Sequence, residues 1–91
     1  MSKDRIDTED LEITWKTIQK YQNYENNTEF YNYLRAVKYA IEVIGEPSAD
    51  SLSELSEVQV DMVKQICEVY SQLASLKGSA GQAVRNILGD I

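Results

Sequence analysis

The chain has 91 residues, 43% of them hydrophobic, and its 9 basic and 15 acidic residues give a net charge of −6. This length fits a single domain with a modest core. The acidic balance argues against direct nucleic-acid binding, which requires clustered Lys and Arg, and against binding to anionic membrane surfaces. It is compatible with a basic protein partner.

The chain contains no histidine and a single cysteine, Cys67. Without histidine, the Ser–His and Cys–His nucleophile pairs and the common zinc sites cannot form. We therefore predict that the protein is not an enzyme and uses no metal or cofactor.

Cys67 also bears on the cellular compartment. A single cysteine excludes an internal disulfide and favours a reducing cytoplasm, and its apolar neighbours predict a buried structural thiol. The charged N-terminal residues lack the apolar segment of a signal peptide, and no apolar run is long enough for a membrane span. We expect a cytoplasmic protein.

Residues 1–7 are mostly polar, which predicts a flexible N-terminus before a single helical domain at residues 8–91. The first helix is predicted from about Thr8 to Tyr24, because apolar residues recur at helical spacing along it. Trp15 lies in this apolar row, so we expect it to be mostly buried against the second helix.

The second helix is predicted from about Thr28 to Ile44. Its apolar positions follow a regular spacing of four and three residues, typical of a core-facing stripe: Phe30, Leu34, Val37, Ile41 and Ile44. Gly45 is a natural end for this helix, and Pro47 prevents its continuation.

The third helix is predicted to start at Asp50 or Ser51, with Ser51 and Glu54 as its capping pair, and to reach Lys77. It would be about 26 residues, or about 39 Å, long. A row of apolar or small residues lies beside its main apolar stripe: Val60, Val63, Cys67, Tyr70 and Ala74. We expect this row to be partly uncovered around Val60 and Val63, where it would meet a partner or a second copy of the chain.

A short fourth helix is predicted from about Ala80 to Leu88, with Ser79 and Gln82 at capping-box spacing. The predicted fold class is therefore all-α: a small antiparallel helical bundle of three long helices plus a short C-terminal helix.

Tyrosines are concentrated around the first interhelical turn, where five of the six lie between residues 21 and 39. Tyr31 and Tyr39 flank the polar face of the second helix, so we consider them candidate partner-binding residues. The alternative is that these rings only cover a thin core.

Five acidic residues and no basic residue lie between Glu46 and Asp61. Glu54, Glu57 and Asp61 are the candidate partner-binding residues of this segment. The cluster could imitate a phosphate backbone, although helix N-termini attract acidic residues in any case.

Two functional hypotheses follow. The first is a non-catalytic protein–protein interaction or regulatory module that acts through helical faces and can self-associate. The second is a small acidic inhibitor, of the kind phages and mobile elements encode, that blocks a nucleic-acid-binding or defence enzyme by charge mimicry.

Overall fold

The computed structural model describes residues 6–89, and this range folds into helices with no strand. The five helices, in chain order, are α1 (Thr8–Tyr21), α2 (Asn27–Ile44), α3 (Ala49–Ser53), α4 (Glu57–Ala74) and α5 (Gly78–Leu88). The all-α prediction is confirmed. No helix in the described range is long and apolar enough to cross a bilayer.

The first two helices start where side chains can accept the unpaired backbone N–H groups of a first turn. Asp7 caps α1 by accepting a hydrogen bond from the N–H of Asp10, and Asn26 caps α2 by accepting one from the N–H of Glu29. Ile6 is buried. The chain therefore joins the packed fold before α1 begins, whereas residues 1–5 of the expected flexible N-terminus lie outside the described residues.

The prediction of one long third helix from Asp50 or Ser51 to Lys77 is wrong. The structure has two helices there, because Ser56 forms a capping box with Gln59 and starts α4 afresh. The short α3 starts at a separate capping box between Ser48 and Ser51. Ser51 is thus the third residue of a first turn and does not cap a helix with Glu54, and α4 ends at Ala74.

The start of the last helix also differs from the prediction. Gly78 is the first residue of α5 and Lys77 its N-cap, so Ser79 and Gln82 lie inside the helix and do not form its capping box.

The two glycines of this segment, Gly78 and Gly81, occupy positions where a side chain would be strained. Gly78 has a positive φ of 73° at the turn, and a Cβ atom on Gly81 would lie only 2.8 Å from the carbonyl carbon of Leu76.

The core is centred on α2. α2 packs against α1, α4 and α5, and these contacts bury six of its residues. The largest fully buried side chains come from three helices: Leu11, Ile18, Leu34, Val37 and Ile66. Trp15 is partly buried and packs against this core.

Candidate interaction groove

An open groove of about 430 Å³ lies between the α1–α2 turn and the first half of α5. Its first wall is aromatic and consists of Tyr24, Phe30 and Tyr31. Ring centroids are 4.7 Å apart for Tyr24 and Phe30 and 6.3 Å apart for Phe30 and Tyr31, within the range of favourable aromatic pairs. Tyr33 extends the row beyond Tyr24, and the ring centroids of these two tyrosines are 5.6 Å apart. The groove therefore has a continuous wall of ring surface.

Local hydrogen bonds position this wall. The side chain of Glu29 accepts a hydrogen bond of 2.9 Å from the backbone N–H of Glu25, while Asn26 accepts one of 2.9 Å from the N–H of Glu29. These two bonds fix the turn between Tyr24 and the first turn of α2. As a result Tyr24, which precedes the helix, lies against Phe30 inside it.

The tyrosines at the groove are unusually exposed for large side chains. Tyr24 is 42% exposed and Tyr31 is 40% exposed, whereas Phe30 and Tyr33 are partly buried. The groove thus presents an aromatic surface to solvent on rings already held by their neighbours, so little side-chain entropy remains to be lost on binding.

The opposite wall comes from α5. Ser79, Ala80 and Ala83 line it, and their small side chains keep the groove open. No side chain caps the first turn of α5. The backbone N–H groups of this turn are donors without an intrahelical partner.

The rim of the groove is polar. It is formed by Glu25, Asn26 and Asn27, all exposed. The arrangement can hold an apolar or flat group between the walls while amides and one carboxylate bond to its polar atoms.

The residues predicted as partner-binding are divided by the fold. Tyr31 lies in the groove, and Tyr39, 57% exposed, lies two helical turns along α2. Glu54, Glu57 and Asp61 are exposed around the start of α4. The structure does not bring these acidic residues to the groove lining.

The expectation that Val63 is uncovered in the isolated chain is wrong. Val63 is only 4% exposed and belongs to the core, and Val60 is partly buried. The reason is that α4 packs against α1, α2 and α5, so helices cover more than one of its flanks.

Two ionisable side chains, Tyr33 and Cys67, have raised pKa values. Burial, and secondarily the nearby Tyr24, raises the pKa of Tyr33. Cys67 is exposed, which corrects the expectation of a buried thiol, yet partial desolvation raises the pKa of its thiol. Both groups are therefore protonated at neutral pH. Residues 6–89 contain no cluster of three or more His, Cys, Asp or Glu residues that could hold a metal ion.

Sequence reasoning singled out Tyr31 but missed most of the groove. The tyrosine concentration around the first turn was the available signal for Tyr24. Nothing in the spacing of Ala80 and Ala83 indicates that they face this turn, because their apolar row is also that of an ordinary core helix.

No protein-family model matches the chain, and comparisons with curated proteins and with solved structures also find no match.

Proposed function

We propose that the protein is a non-catalytic interaction module that binds another protein through the groove, with Tyr31 as a central contact. The observation that carries this proposal is the row of four aromatic rings whose exposed members border an open groove. Tyrosine is enriched among residues that dominate binding energy, because it offers a large contact area, a polar tip and few rotamers.

The size of the groove is sufficient for an anchoring contact from a partner protein. A volume of about 430 Å³ accommodates one or two inserted side chains of a partner. Tyr39 extends the exposed face of α2 by about 12 Å from Tyr31, at 1.5 Å per residue. A partner seated in the groove can therefore continue along α2 towards Tyr39.

Site-specific photocrosslinking tests this proposal. A p-benzoylphenylalanine residue in place of Tyr31 should crosslink to a protein in the producing cells, and adding Tyr24→Ser should suppress the product. The matched control carries the crosslinker at Val58, which is 65% exposed and does not line the groove.

The mass of the product identifies the partner class. A product of twice the chain mass would indicate self-association through the groove, and a different mass would indicate another protein. Absence of a product at Tyr31, or equal products at both positions, would contradict the proposal.

We also propose a cytoplasmic location, because the chain has a single cysteine and therefore no internal disulfide. Fractionation of the producing cells would test this location.

A second candidate function is inhibition of a basic, nucleic-acid-binding enzyme by charge mimicry. The observation that favours it is that Glu57 and Asp61 are both exposed and lie one turn apart on α4, with exposed Glu54 just before the helix. Added salt should weaken binding to such an enzyme, and reversing these three charges to Lys should abolish it. Binding that is insensitive both to the charge reversals and to added salt excludes this function.

A further inference from the structure

The negative charge at the groove indicates that its occupant carries a positive charge. Among the described residues that line the groove, Glu25 is the only charged one. The carboxylate of Glu29 adds a second negative charge close by, because it accepts the backbone N–H of Glu25 at 2.9 Å. A cationic group placed in the groove would therefore meet carboxylate charge at the rim and aromatic rings along the wall.

We propose that the groove binds an arginine side chain from an extended segment of the partner protein, an inference that rests on the proposed interaction function. The guanidinium group is planar and weakly hydrated, so it stacks on the faces of Tyr and Phe rings. Its N–H donors form a fork that matches the two oxygens of a carboxylate such as Glu25. Lysine has neither the flat surface nor the fork, and so it fits this wall less well.

The α5 side of the groove favours a peptide over a free cation. The first turn of α5 has no side-chain cap, and its N–H groups carry the partial positive charge of a helix start. This charge repels a cation but favours the carbonyl oxygens of an extended backbone. The two walls therefore match two parts of one segment, with the guanidinium at Glu25 and the backbone at Ser79 and Ala80.

Three short peptides test the arginine assignment. The probes are acetyl-Gly-Ala-Arg-Ala-Gly-amide and its analogues with lysine or citrulline at the central position, titrated into the isotopically labelled chain and followed by NMR. Citrulline retains the shape of arginine without its charge. We expect the arginine peptide to shift the resonances of Tyr24, Tyr31 and Ala80 with an affinity on the order of millimolar. The lysine peptide should bind about threefold to tenfold more weakly, and the citrulline peptide more weakly still.

A pair of charge-neutralising variants tests the role of Glu25. Glu25→Gln should weaken the arginine peptide by about threefold to tenfold and reduce the salt dependence of binding. Only the backbone N–H of Glu25 takes part in the bond that fixes the turn, so the fold should be retained. Glu42→Gln removes the same charge at an exposed position on α2, outside the groove, and should leave binding within a factor of about two, since solvent and salt screen it from the groove.

The outcomes separate this inference from the function on which it rests. Equal binding of all three peptides, no shift at the groove, or equal losses in the two variants would overturn the arginine assignment. If the crosslink from position 31 maps to a partner segment without arginine, the assignment fails while the interaction function stands. If the arginine peptide binds but no protein crosslinks at that position, the groove chemistry is supported and the interaction function fails.

Discussion

Ser56 and Gln59 exchange two hydrogen bonds, in which the Ser56 N–H donates to Gln59 Oε1 at 2.9 Å and the Gln59 N–H donates to Ser56 Oγ at 3.2 Å. This exchange satisfies two backbone donors at the start of α4 and fixes the bend that separates α3 from α4. It is the local cause of the break in what sequence periodicity presents as one helix.

Ser56→Ala should lower the free energy of unfolding by about 1 kcal/mol, since it removes the N-cap acceptor of α4. Urea unfolding monitored by circular dichroism measures this loss. The control is Ser71→Ala at an exposed position inside α4, which should be neutral or slightly stabilising because alanine favours helix. An equal effect of the two substitutions would show that the cap contributes no stability.

Gly81→Ala should destabilise the protein by about 1–3 kcal/mol, although alanine is normally preferred over glycine inside a helix. The new methyl group would overlap the backbone of Leu76, which cannot move aside as a flexible side chain would. Ser79→Ala in the same helix is the control and should not destabilise the fold, since Ser79 is exposed. A Gly81→Ala protein as stable as the parent would show that the α4–α5 connection relaxes at little cost.

Val63→Glu should unfold the chain or reduce its stability by several kcal/mol, because it places a carboxylate in the core without a partner. Val58→Glu introduces the same charge on the same helix at a position that is 65% exposed, so its effect should stay within about 0.5 kcal/mol. Thermal unfolding of both variants measures the difference. A folded Val63→Glu protein with reduced self-association would instead restore Val63 as an interface residue.

Alkaline pH should destabilise the protein through Tyr33. Burial and the neighbouring Tyr24 raise its pKa in the folded state above 10.0, the value expected after unfolding. The unfolded chain therefore loses this proton first. The corresponding stability is complete below about pH 10 and is lost as the pH rises through the folded-state pKa.

Tyr33→Phe tests this linkage because it removes the ionising group and keeps the ring. The loss of stability with rising pH, measured by urea unfolding between about pH 8 and 11, should become shallower in this variant. Tyr39→Phe, which makes the same substitution at a tyrosine that is 57% exposed, is the matched control. Identical slopes for the parent and Tyr33→Phe would rule out the linkage.

Periodicity predicts α1 and α2 well because their apolar stripes face one core and their ends carry strong local signals. Asn26 and Gly45, which bound α2, are such signals. Periodicity fails at Ser56, because the apolar row runs through the bend and makes Gln59 look like a polar position in a continuous stripe. The Ser-x-x-Gln spacing is visible in the sequence, but spacing alone does not show whether a helix starts there or continues.

The groove is less predictable for a different reason. Tyr24 and Ala83 are far apart in the chain, and only the packing of α5 against α2 places them on opposite walls. Similarly, the apolar rows of one helix predict an exposed Val63, whereas the burial of this residue depends on how many other helices surround its own. Local patterns describe elements, and the site arises from their assembly. The antiparallel order of the long helices stays a prediction.

The separate caps at Ser48 and Ser56 have a consequence for how this fold tolerates change. The starts of α3 and α4 are each closed by their own hydrogen bonds, so the connection at residues 45–47 does not need a fixed length to keep these helix starts intact. Gly45 lies 14 residues after Tyr31, which places this connection about 21 Å along α2 from the groove. Insertions or a reporter tag at residues 46–47 should therefore be accommodated with binding in the groove preserved.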